Sequence, residues 1–285
     1  MFERLFRFFH PVAKRFNRPF IKTIQNGLRR MAPEAVCAVR DQVESAQTDN
    51  GLFRGRTGPG DLYYTFFALP LSQLVRARID RRACRDAIAA IPLATLDAVH
   101  AVAALRLRHM LRLPVRSEML QALLNLPAMF YPQGDPEAPY ARFLVTAAFR
   151  DFGLDDPPVD LTDYRIGRGG YANVKGETAP AVNATAAALF LLTGDARQAA
   201  ALTLQNLQDE DGSFKAIPSA PQGDLLSTAT ASFALHVHGY SLHHTLKPFL
   251  RACFRDTGLF AATSDDPVGD LEYTAYGLLA MGLTT

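Results

Sequence analysis

Gln208-Asp-Glu-Asp-Gly212-Ser-Phe214, followed twelve residues after its glycine by Asp224-Leu-Leu-Ser-Thr228, is the stretch on which the fold turns. Its first half recurs as Gln47-Thr-Asp-Asn-Gly51-Leu-Phe53. It recurs in part as Arg168-Gly169-Gly170-Tyr171 and Thr257-Gly258-Leu259-Phe260. Its second half recurs as Asp61-Leu-Tyr-Tyr-Thr65 and Asp270-Leu-Glu-Tyr-Thr274, and Ala181-Val-Asn-Ala-Thr185 keeps the threonine. Gly258 and Asp270 are again twelve apart, whereas Gly51 and Asp61 are ten apart. Two anchors that return in register at intervals of some forty residues mark stacked or ring-closed helical hairpins.

Working outward, each second anchor opens a stretch that is apolar nearly all round, as a buried helix is. These are Thr65–Leu74, Thr185–Leu192, Thr228–Val237 and Thr274–Met281, the last three ending near Gly194, Gly239 and Gly282. Amphipathic helices are predicted before the first anchors, over Pro33–Ala46, Asp195–Leu207 and Ser241–Phe254. In the middle of the chain, Asp97–Met110 and Pro139–Phe149 read as two more apolar helices, preceded by Arg81–Ala90 and Ser117–Met129. Inner-helix starts then fall at 61, 97, about 139, 181, 224 and 270. One outer helix, due between Gly153 and Gly169, is not legible, because Asp155-Asp-Pro-Pro reads as a loop. No valine, isoleucine or threonine run alternates with polar residues, so no strand is expected. The fold class predicted is all-α, an (α/α)6 toroid over residues 31–285. Its pocket lies at the end where the inner helices begin.

The two anchors together resemble the repeats of the prenyltransferase and squalene-cyclase family, over about residues 30–285. The resemblance implies the toroid fold and chemistry on isoprenoids. In protein prenyltransferase beta subunits zinc is held by D-x-C at one inner-helix start and a histidine at the next. Here Asp224 matches, but Leu226 stands for the cysteine and Tyr273 for the histidine, so zinc-dependent prenyl transfer is rejected and no metal site is assigned. The D-x-D-D acid motif of class II cyclases is missing; Asp155-Asp156 and Asp265-Asp266 come nearest. Asp155, Asp156 and Asp160 miss the D-D-x-x-D magnesium spacing. The tryptophan that closes each repeat in those cyclases is replaced by Phe53, Tyr171, Phe214 or Phe260, and the chain has no tryptophan at all.

Several residues could carry chemistry. Asp61, Asp224 and Asp270 follow a glycine and open a helix, which is a preferred N-cap position. They could equally form a carboxylate rim. Glu272 lies in the first turn of an otherwise apolar helix, where an acid is costly unless used or paired. Asp270 with Glu272 is therefore the candidate acidic centre, with Asp224 supporting and Tyr273 as polar partner. Tyr63, Tyr64, Tyr140, Tyr273 and Tyr276, with Phe53, Phe67, Phe214 and Phe260, read as an aromatic lining or as plain core. Rings of this kind suit a polyisoprene and face a carbocation favourably. Arg165, Arg168, Lys175 and Lys215 lie in loops before inner helices and could hold a diphosphate, or be solvated surface. Asp61 and Asn183 complete the substrate-binding candidates.

Composition limits the alternatives. The chain has 285 residues, 48% of them hydrophobic, so a sizeable core is expected. Three scattered cysteines exclude a disulfide framework and fit a reducing compartment. The net charge of +2 hides a split: residues 1–30 carry eight basic residues and one acid, and the remainder is −5. Phe2, Phe6, Phe8, Phe9, Phe16 and Phe20 share that basic segment. Three readings of it compete: an arm in an anionic membrane interface, an arm docked on an acidic partner, or phenylalanines that complete the chain's own core. No nucleic-acid module is visible.

Two functions are expected. In the first, a small bacterial-type enzyme, cytoplasmic and peripheral on a membrane, binds an isoprenoid diphosphate or other lipid in the hollow. It cyclises or transfers that substrate by acid chemistry without zinc. No cofactor is implied, save magnesium were a diphosphate bound. In the second, a non-catalytic toroid serves as a subunit or lipid-binding scaffold.

Overall fold

A computed structural model describes residues 17–284. Among them are twelve α-helices: α1 (Asn17–Leu28), α2 (Pro33–Ala46), α3 (Leu62–Leu74), α4 (Arg81–Ala90), α5 (Ala98–Met110), α6 (Ser117–Leu124), α7 (Pro139–Asp151), α8 (Val182–Leu191), α9 (Gly194–Asn206), α10 (Leu225–Val237), α11 (Lys247–Cys253) and α12 (Leu271–Met281). The protein is mostly helical. The two strands, β1 (Arg165–Ile166) and β2 (Gly170–Tyr171), pair antiparallel.

The anchors explain themselves at atomic level. Asp61, Asp97, Asp224 and Asp270 each accept from the backbone N–H three residues on, at 2.7–2.9 Å, and so cap α3, α5, α10 and α12. The threonine of the second anchor turns its hydroxyl back. Thr65 and Thr228 accept from the N–H of Phe53 and Phe214 at 2.9 Å, Thr185 from Tyr171 at 3.0 Å and Thr274 from Phe260 at 3.1 Å. All four threonines are fully buried, where an unpaired N–H would cost about 1–3 kcal/mol. The glutamine ties one repeat to the next: Gln208 Nε2 donates to Gly212 O and His244 O, and its Oε1 accepts from the His243 and His244 N–H groups. Gly212 has φ +91°, and a Cβ there would stand 2.1 Å from Thr245 O, so only glycine fits.

The helices contact one another in a defined order. α3 packs on α5, α5 on α7, α7 on α8, α8 on α10, α10 on α12, and α12 on α3. These six are rich in buried small residues, such as Ala184, Ala186, Ala187 and Ala188 of α8. The remaining helices each contact one or two of these six: α2 packs on α3 and α12, α4 on α5, α6 on α7, α9 on α8, and α11 on α12. Between α7 and α8, where an outer helix is not legible, the chain makes a 3-10 turn and the β1–β2 pair.

Two helix boundaries and one pair of strands differ from expectation. The helix predicted over Ser241–Phe254 is confined to α11, because the 241–245 backbone is engaged elsewhere: Ser241 O accepts from Gln205, and the His243 and His244 N–H groups bond Gln208. The helix predicted over Ser117–Met129 ends at Leu124, ahead of Pro127, whose ring disfavours helix in the residue before it. The β1–β2 pair corrects the expectation of no strand; two residues are too few to show a period. The third reading of the N-terminal segment describes residues 17–28. Phe20, Ile24 and Leu28 of α1 are buried, and α1 lies along α12. Gly27 and Gly282 let the backbones touch, since a Cβ at either would stand 2.0 Å from the facing carbonyl, of Leu278 or Thr23. Phe2, Phe6, Phe8, Phe9 and Phe16 lie outside the described residues.

Candidate functional site

A cavity of about 190 Å³ lies among α3, α7, α8, α10 and α12. Its lining comes in layers, as the helical period requires. The second residue of four helices forms the first layer: Tyr63, Tyr140, Asn183 and Leu226. Phe143, Ala186, Thr230 and Tyr276 follow one turn deeper. Phe190, Phe233 and Leu279, each the ninth residue of its helix, lie deeper still. Phe20 of α1 closes that end, stacked on Phe66 (ring centres 6.2 Å) and edge-on to Phe233 (5.9 Å).

Glu272 is the second residue of α12, the same position as the first-layer residues. It is 8% exposed, and its Oε1 accepts from the Tyr63 hydroxyl at 2.6 Å. Burial is the main cause that raises the Glu272 carboxyl above its ordinary value; Asp270 adds to the rise and the Tyr63 bond opposes it. Burial likewise pushes up the phenols of Tyr63, Tyr140 and Tyr276. The cavity wall is therefore a belt of neutral hydroxyls with one acid behind it. Tyr273 is half-buried and pushed up to about 12, by burial first and then by Glu272.

Asp270 has a different setting. Besides capping α12, its Oδ2 accepts from Arg56 Nε at 2.7 Å, and Arg56 Nη2 meets Asp266 at 2.5 Å. The bond from Arg56 is the largest cause that holds Asp266 below the ordinary carboxylate range, and the Arg56 guanidinium lies 5.9 Å over the Tyr273 ring. Asp61 and Asp224 serve as caps, and burial raises the Asp224 carboxyl. Tyr64 is edge-on to Tyr63 and covers Gly55.

The basic candidates are not gathered at the cavity, and none of them lines it. Lys175 pairs with Asp135 at 3.6 Å and Asp163 at 3.5 Å, and Lys215 pairs with Asp209 at 3.6 Å. Arg165 and Arg168 are exposed, Arg165 bonding Arg168 O at 2.6 Å. Such groups are spent on surface carboxylates or solvated.

Sequence reasoning missed Arg56, which sits in a glycine-rich loop more than 200 residues from its carboxylate partners; no local signal marks it. It also missed Arg106 of α5, buried with Asp151 of α7 at 2.9 Å and lying 5.7 Å over Phe66. The deeper phenylalanines could have been found by counting three and seven residues on from the first-layer residues, as from Tyr140 to Phe143, Asn183 to Phe190 and Leu226 to Phe233. Among the described residues no group of three or more histidine, cysteine, aspartate or glutamate side chains could hold a metal ion. No helix among them is long and apolar enough to cross a membrane. No family model and no curated protein matches the chain.

Proposed function

We propose that the chain is an (α/α)6 toroid related to the prenyltransferase and squalene-cyclase repeat proteins, and that it rearranges a neutral isoprenoid or similar lipid by acid catalysis in the central cavity. The observation that carries this reading is Glu272 behind Tyr63. A buried carboxyl with a raised pKa keeps its proton to a higher pH than an exposed one, and a hydrogen bond ties it to a phenol on the cavity wall. With the carboxyl protonated, the 2.6 Å contact runs from Glu272 to the Tyr63 oxygen, and the Tyr63 proton turns to the cavity. That proton adds to an alkene carbon, the Glu272 proton replaces it, and a carbocation is left. The faces of Tyr140, Phe143, Phe190, Phe233 and Tyr276 then stabilise the charge. Loss of a proton from the rearranged cation back to the Tyr63–Glu272 pair completes an isomerisation or cyclisation. The closed order of helix contacts, from α3 round to α12 and back, supports the toroid.

A cavity without a lining cation favours a neutral substrate over a diphosphate, and with it a reaction that needs no magnesium. A substrate of this kind is drawn from a bilayer, which suits a cytoplasmic protein in peripheral contact with a membrane. The second reading, a non-catalytic scaffold, is favoured by the small cavity, below the roughly 300–1,000 Å³ of most ligand sites. Native mass spectrometry with squalene, shorter neutral isoprenoids and prenyl diphosphates, followed by product analysis, separates the two. The enzyme reading expects a neutral isoprenoid to be retained and converted, with Glu272→Gln still binding it and turning it over about 100-fold more slowly or worse. Retention of none of the panel selects the scaffold.

A further inference from the structure

The cavity lining is apolar except for the polar atoms of Tyr63, Tyr140, Asn183, Thr230 and Tyr276. Two of these groups are engaged within the protein. Tyr63 donates to Glu272 Oε1 at 2.6 Å, and Thr230 turns its hydroxyl back to donate to Leu226 O at 2.8 Å. Asn183 is different. Among the described residues its side-chain amide has no hydrogen-bond partner.

The setting makes an idle amide costly. α8 reads Val182-Asn-Ala-Thr-Ala-Ala-Ala-Leu-Phe-Leu191, with two polar residues in ten. The other one, Thr185, is fully used: it accepts from the Tyr171 N–H at 3.0 Å and donates to Ala181 O at 2.8 Å. Asn183 has no such task, and it does not cap α8, whose N-cap position is Ala181. An amide held away from bulk water without a partner is destabilising, and the one face open to Asn183 is the cavity.

Its place relative to the acid is defined by the order of the helices. Round the circuit of helix contacts, α8 lies three helices from α3 in either direction. Asn183 and Tyr63 are each the second residue of their helix, and both line the cavity. In the proposed ring the amide and the Tyr63 phenol therefore stand at one level on facing walls. Phe20 closes the other end, so this level is set by residues of the repeats alone.

We infer that Asn183 selects a lipid that carries a hydroxyl and holds that oxygen across the cavity from Tyr63, given that the cavity is a lipid site as proposed above. An amide offers two N–H donors and one acceptor oxygen, and a hydroxyl both donates and accepts, so each satisfies the other. A hydrocarbon of the same skeleton displaces water from the amide and returns no hydrogen bond. A site built round such a group rejects the analogue that lacks the oxygen, because its own polar atoms are left unpaired. Leu226, at the same position of α10, offers no polar contact, which leaves the recognition to the α8 wall.

Equilibrium dialysis of the full chain against geraniol, and against the hydrocarbon of the same skeleton without the hydroxyl, tests this. Geraniol binds at one molecule per chain, about tenfold or more tighter than the hydrocarbon. Asn183→Leu, and separately Asn183→Ala, weakens geraniol by about tenfold and leaves the hydrocarbon as tightly bound or tighter, so the preference disappears. Equal weakening of both ligands in both variants marks a structural role for Asn183 and overturns the assignment. Equal binding of the two ligands by the unaltered chain, or a preference that survives in both variants, overturns it as well, and leaves the acid chemistry at Glu272 standing. A geraniol preference that depends on Asn183 sustains the assignment even where no isoprenoid is converted, an outcome in which the acid chemistry alone falls. Retention of neither ligand overturns both.

Discussion

At the scale of the residue, Glu272 shows how one side chain can oppose the stability of the fold it belongs to. Its carboxyl pKa lies above the ordinary 4.5 in the folded state because burial disfavours the charge. The folded state therefore holds the proton more tightly than the unfolded state. The sign follows: stability is highest below about pH 4.5 with respect to this group, and falls as pH rises through the folded pKa. Glu272→Gln keeps an acceptor for the Tyr63 hydroxyl and removes the charge. Its melting temperature relative to the unaltered chain should rise between pH 4 and pH 8, as read by thermal unfolding in matched buffers. A flat difference across that range would mean that the carboxylate is well solvated when ionised. Two positions away, Asp270 is 5% exposed and Arg56 supplies its counter-charge at 2.7 Å.

Among elements, α1 has the widest consequence. Its apolar face is used up on α12 and on the cavity, and its outward face keeps Arg18 and Lys22 in solvent. Phe20 sets the depth of the cavity: the ring is 6% exposed, between Phe66 and Phe233. Phe20→Ala should cost about 3–5 kcal/mol in denaturant unfolding, the usual cost of removing a buried phenylalanine ring. On the proposed isoprenoid reading, the same variant should retain a longer chain in native mass spectrometry, since the floor of the cavity has been removed. A cost below about 1 kcal/mol would show that α1 contributes little to closing the cavity's far end.

At the scale of the whole molecule, the contacts run in a circuit, and the bonds across its seam join residues far apart in sequence. Tyr63 and Glu272 are 209 residues apart, and Arg56 and Asp270 are 214 apart. An open array of repeats frays from its ends, because each end unit has a single neighbour. Here α3 has α12 beside it as well as α5. Native-state hydrogen exchange should therefore protect the amides of α3 and α12 to the same level as those of α8. Exchange of α3 or α12 by a separate, lower-energy opening would show that the seam does not bear on stability.

Most of the helices from α2 onward, their order and the caps at Asp61, Asp224 and Asp270 were legible in the amino-acid sequence, because they depend on neighbours within four residues or on anchors that repeat; the helix α1 and the cap at Asp97 were not read from it. α2 and α4 occupy the spans that hydrophobic periodicity assigns to them. The acid Glu272 was legible for the same reason, as a charge out of place on an apolar face. Its link to Tyr63, the pairing of Asp270 with Arg56, the neutralisation of Lys175 and Lys215 by nearby aspartates, and the seating of Phe20 were decided only by tertiary structure. Each depends on which distant segments meet, and a local pattern holds no record of that.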